Sequence, residues 1–155
     1  MRWNEGDGRR MNDVIVLLKR IRRERHELLV ITETAADLRM MLLPSGIQYN
    51  TDRVQTSVDP DGKQLKIVAQ LVEIEKRQDV LTDKLGRDIL LAEELIGSMT
   101  TPEYRELIRL RYLTGGTKPL TWEEIAEKME YSTDHVRGKL HGKAVAEARK
   151  VWKEL

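Results

Sequence analysis

From Asn12 to Leu43 the chain runs without a glycine or a proline, and apolar side chains recur in alternating steps of three and four at Val14, Leu17, Ile21, Leu28, Ile31, Ala35, Leu38 and Leu42. That spacing lines them along one stripe of an α-helix, the seam of a coiled coil or helical hairpin. A strand would need alternation every second residue, which is absent. Only Glu24 interrupts the seam, and Pro44 stops it. At about 1.5 Å per residue the segment predicts a helix roughly 48 Å long. The same period returns between Gln64 and Ser98, at Ile67, Leu71, Ile74, Gln78, Leu81 and Leu85, then drifts to Ile89, Ala92 and Ile96. Residues 12–98 therefore predict an antiparallel, coiled-coil-like hairpin.

The connecting loop, 44–63, holds two prolines and two glycines, and its large apolar anchors are few: Ile47, Tyr49 and Val54. It is expected to be more mobile than the helices it joins. VQTSV, from Val54, has strand-like composition, but the flanking period favours two helices and a loop. Residues 1–11, with two glycines, mixed charge and no period, read as a mobile arm or as translation upstream of Met11.

Composition narrows the class further. Charged residues make up 34% of the chain, phenylalanine is absent and aliphatic side chains carry the apolar content, as in all-α chains with long exposed helices. Twenty-seven Lys and Arg face 26 Asp and Glu, a net charge of +1, so only a local excess can announce a nucleic-acid partner. KRIRRER, Lys19 to Arg25, is one such run; a solvated helix face is the ordinary reading of it and a nucleic-acid patch the sharper one. Without cysteine there is no disulfide framework, and without a long apolar run no membrane span or signal peptide is expected, which fits the cytoplasm.

The last third, residues 99–155, reads as a helix-turn-helix. Thr121 and Glu124 have the spacing of a capping box, Ile125 and Met129 share one face, and small Ala126 leaves room for a crossing helix. After Glu130-Tyr131, Ser132 offers a second N-cap, and Val136 and Leu140 repeat the apolar spacing. Preceded by YRELIRLRY, Tyr104 to Tyr112, this segment resembles region four of bacterial sigma factors. Leu107, Ile108 and Leu110 would then form the supporting helix, WEEIAEKM the first helix of the motif and YSTDHVRGKLHGKA the recognition helix. The chain departs from that pattern in the long loop Leu113 to Leu120, in Glu130 where glycine is usual, and in one extra residue between Val136 and Lys143-Ala144. With the hairpin and the RVQTS link, Arg53 to Ser57, most of the chain resembles the ArpU and RinA type phage transcription regulators. The resemblance implies a DNA-binding regulator of late or lysis genes in the bacterial cytoplasm; RNA polymerase, on which sigma factors dock, is the other candidate partner.

On a helix wound at 100° per residue, a buried Val136 and Leu140 turn Asp134, Arg137, Gly138 and His141 outward, with Thr133 near the start. Thr133, Asp134, Arg137 and His141 are thus the candidates to face bases, and Lys118, Ser132, Lys139 and Lys143 to meet phosphates. From residue 131 onward six Lys and Arg stand against three Asp and Glu, so this end is locally basic. No catalytic or metal site is expected. His135 and His141 are six apart rather than four, Gly115-Gly116-Thr117-Lys118 lacks the first glycine of a phosphate loop, and the acidic pairs suit helix caps and solvent. No cofactor is implied. The excess of apolar positions flanking both seams, among them Val30, Met40, Met41, Val68 and Val72, predicts a homo-oligomer, with a dimer favoured. Two other readings share the same features: a packaging accessory resembling small terminase subunits, and a helical module that docks on RNA polymerase without reading DNA.

Overall fold

The computed structural model describes residues 13–43, 60–116 and 118–155. The N-terminal arm and residues 44–59 of the connecting link, with RVQTS and the mobility expected of it, lie outside the described residues. The chain is all-α, and its two long helices, α1 (Val14–Leu42) and α2 (Pro60–Ser98), pack against each other. Helix α2 begins at Pro60, within the predicted 44–63 connection. A proline at the first helical position gives up no intrahelical hydrogen bond, so it starts a helix as readily as it stops one.

Every seam position is buried or half-buried, including the two polar ones, Glu24 and Gln78. Short α3 (Pro102–Ile108) continues into a π segment, Arg109–Leu113, closed by the Thr114 N–H on the Arg109 carbonyl. Then come α4 (Trp122–Met129), α5 (Thr133–His135), a second π segment (Val136–Leu140) and α6 (His141–Glu154).

The chain divides into two compact units. One comprises Glu27–Asp83, where α1 meets α2 in antiparallel register: Gln78 Nε2 donates to Thr32 Oγ1 at 3.0 Å and Arg39 pairs with Glu75 at 2.9 Å. The other takes the described residues of Met1–His26 together with Lys84–Leu155, so it adds the start of α1 and the end of α2 to the C-terminal helices.

The core of this second unit holds Leu18 and Ile21 of α1, Leu95 and Ile96 of α2, Leu107 and Ile108 of α3, Ile125 of α4 and Val136, all fully buried. Ala144, Ala148 and Trp152 continue the buried stripe of Leu140 at intervals of four. Polar ties hold the ends. Arg149 makes a bidentate pair with Asp13, whose carboxyl it holds below the usual range. Glu147 Oε1 accepts from Thr100 N, Thr100 Oγ1 and Thr101 N, so a carboxylate from α6 caps the start of α3 where Thr101 supplies no side-chain bond.

Candidate nucleic-acid interface

Helix α4 and the turn that leads from it to α5 are fixed by local hydrogen bonds. Thr121 Oγ1 accepts from Glu124 N, and Glu124 Oε2 accepts from Thr121 N, both at 3.2 Å, completing the capping box. At the far end of α4, Tyr131 N donates to the Ala126 carbonyl at 3.0 Å around Glu130, whose φ of 62° lies in the left-handed region. This closure is a Schellman turn, and it explains why glycine suits position 130: a side chain there costs roughly 1–2 kcal/mol. Ser132 Oγ then accepts from His135 N and starts the next helix.

With α4 buried through Ile125, Ala126 and Met129, and the following rod through Val136, Leu140 and Ala144, the opposite side of the rod is solvent-exposed. Ser132, Asp134, Arg137, Lys139 and Lys143 are all exposed there, Thr133 is half-buried, and Lys118 is exposed in the loop before α4. Arg137 Nη2 lies 3.4 Å from Asp134 Oδ1, a long contact between side chains 56% and 94% exposed. An exposed pair of this kind contributes about 0.2–0.5 kcal/mol, little enough to be given up for a better partner.

Gly138 and Gly142 are exposed on the same rod, four residues apart, and a Cβ added at either would meet nothing within 4 Å. Packing within the chain thus does not require glycine at either position, although each costs helix stability by about 0.5–1 kcal/mol relative to alanine. Two bare backbone patches beside Lys139 and Lys143 suit the close approach of another surface. The apolar spacing singles out Gly138 but not Gly142, whose place on this rod emerges only from the fold.

His141 does not face outward. Its ring is half-buried, with Nε2 2.8 Å from the Tyr112 hydroxyl and its edge on Trp122 at 5.0 Å between centroids. The reason is the π segment: His141 N–H bonds to the Val136 carbonyl, five residues back. One extra residue in the turn sets everything after it back by about 100° relative to uniform α winding, which brings His141 from the outer side onto the packed one. The one-residue excess in the sequence coincides with this wide turn. Burial, followed by the nearby Arg111 and Lys19 cations, pushes the His141 pKa down, and burial raises that of Tyr112. In the neutral ring Nε2 can accept a hydrogen bond donated by the Tyr112 hydroxyl.

Arg111 is a further member that sequence reasoning missed. Its guanidinium sits 4.1 Å above the Trp122 ring, and it donates to the Leu120 carbonyl at 3.4 Å. Tyr112, Trp122, His141 and Arg111 thus join the supporting helix, the first helix of the motif and the rod behind its exposed face.

Comparison with protein-family models, curated proteins and solved structures finds no match to this chain. Among the described residues, no helix is long and apolar enough to cross a membrane.

Proposed function

We propose that the chain is a sequence-specific DNA-binding transcription regulator that acts by recognition rather than catalysis. The observation that carries this reading is the α4 turn α5 arrangement, capped at both starts, whose second helical rod exposes Arg137, Lys139 and Lys143 beside two glycines that internal packing does not require. In a helix-turn-helix the second helix enters the major groove and its first turns meet the base edges. Arg137 has the two-donor fork that fits guanine, and the lysines suit phosphates. The likeness of WEEIAEKM and YSTDHVRGKLHGKA to sigma region four supports the same reading. The resemblance of the hairpin, RVQTS link and motif together to the ArpU and RinA type regulators extends it to a phage regulator of late or lysis genes working in the bacterial cytoplasm.

Arg137→Ala is expected to cost about 1–3 kcal/mol on the preferred duplex and much less on random DNA. The preferred duplex is found by selection from genomic fragments, and titration of both proteins against it and a scrambled duplex gives the answer. Equal losses on the two would make Arg137 a phosphate contact, and no loss on either would remove it from the interface.

The regulator is proposed to act as a dimer, the arrangement that lets two motifs meet two half-sites. Leu65, Val68 and Val72 form an exposed apolar stripe on α2, at 67%, 42% and 46%, which a second copy would cover. Sedimentation at micromolar concentration should give twice the chain mass; a monomer throughout that range would refute it.

A further inference from the structure

The basic run of α1 is not an evenly solvated face. Arg20 turns to the α2 side, where its Nε and Nη2 each lie 2.9 Å from an Asp88 oxygen. Lys19, Arg22, Arg23 and His26 are spaced i, i+3, i+4 and i+7, one face of the helix. With Arg25 they line a groove of about 440 Å³, bounded across by Tyr112, Thr114, Gly116 and Pro119 of the loop that leads into α4. Arg25 fixes that wall by donating to the Leu113 carbonyl at 2.7 Å. Four Lys and Arg side chains and His26 meet there and, among the described residues, no carboxylate lines the groove. Among the described residues Lys19 and Arg22 have no carboxylate partner.

In a chain of near-equal positive and negative charge, such a concentration is not a by-product of composition. Its field reaches the packed side chains behind the motif: after burial, Arg22 helps lower the Arg111 pKa, and Lys19 helps lower that of His141. Gathered cations of this kind are relieved by a polyanion.

We infer that this groove binds the phosphodiester backbone of duplex DNA, a contact separate from the exposed face of the recognition rod. The inference rests on the DNA-binding reading above. Position favours phosphate over an acidic protein surface. The groove ends at Pro119, two residues before the Thr121 cap of α4, and in helix-turn-helix docking the first helix is the one that crosses the DNA backbone. Exposed Lys118 directly precedes Pro119 in the loop. The start of α1 would thereby extend the footprint beyond the motif.

The test is the salt dependence of binding to the selected and the scrambled duplex, for the full chain and for a Lys19→Ala/Arg22→Ala double variant whose fold is checked by its thermal melt. Removing one phosphate-binding cation should flatten the slope of log K against log salt by about 0.9, so the double variant should lower it by about 1.8 and weaken binding to both duplexes by the same factor. A charge-conserving Lys19→Arg/Arg22→Lys variant should keep the wild-type slope. An unchanged slope in the alanine variant, while Arg137→Ala still discriminates between duplexes, would overturn the groove and leave the DNA reading standing. Absence of wild-type binding to any duplex would overturn both. Competition by polyglutamate equal to that by random duplex, charge for charge, would overturn the groove's preference for DNA and reassign it to acidic protein surfaces.

Discussion

Replacing Glu24 by leucine should stabilise the folded chain by about 1–4 kcal/mol at neutral pH, the range found when buried ionic groups give way to well-packed apolar ones. Glu24 occupies a seam position and is 2% exposed. Its nearest cations are Lys84 Nζ at 3.4 Å and Arg20 Nε at 3.7 Å, and neither carboxylate oxygen receives a hydrogen bond of good geometry. Asp88, itself a carboxyl, lies close enough to oppose its ionisation. Burial first and Asp88 second push the Glu24 pKa up. For Asp88, burial acts upward too, but the bidentate Arg20 and the other partners hold it below its ordinary value.

The sign follows from proton counting. A carboxyl whose pKa is raised by folding binds more protons in the folded state, so its contribution to stability falls as pH rises from the ordinary glutamate value through the raised one. The leucine variant escapes that penalty. Its advantage should be fullest above the raised pKa and shrink as pH falls from the raised value to the ordinary one. Urea unfolding of both proteins at pH 4 and pH 7 measures this, and a variant less stable at pH 7 would show that Lys84 and Arg20 outweigh the cost of burial.

Deleting Gly138 should be tolerated at a cost below about 2 kcal/mol, whereas deleting Ala146 should cost more than about 4 kcal/mol and unfold the unit at physiological temperature. The first deletion takes one residue out of a turn wound one residue too wide and restores ordinary α geometry, keeping Leu140 and Ala144 near the buried side. The second falls in regular winding and turns Ala148 and Trp152 by about 100° out of the core, where a large side chain contributes about 1.5–3 kcal/mol and a cavity adds to the loss. Thermal melts of the two variants decide it. Similar losses for both would mean that the wide turn is rigidly required.

The hairpin is legible in the sequence because its stripe is a property of spacing alone, and Val14 through Leu42 need no knowledge of the partner helix. The capping box and the Ser132 cap are equally legible, since each bond spans three residues. Uniform winding puts His141 on the wrong side, because it takes no account of a π segment that no propensity announces. The Arg111 and Trp122 stack and the Tyr112 to His141 bond depend on elements meeting in space, and nothing in either residue's neighbourhood marks them. KRIRRER is visible as a charge run, but its separation into an inward Arg20 and a shared groove requires knowing that Tyr112, Thr114, Gly116 and Pro119 lie across from it. Arg137 is exposed as the apolar period requires, whereas Lys143, seven residues after Val136, owes its exposure to the wide turn.

The local character of the helix-turn-helix bonds also bears on the order of assembly. Closing a chain segment costs entropy that grows with its length, and the bonds that set the angle between α4 and α5 join residues only three to five apart. The Arg20 to Asp88 pair, by contrast, closes a separation of 68 positions. Contacts so different in reach need not form together: the turn can acquire its shape while the chain is still open, and the long helices then supply the packing that makes this shape persist.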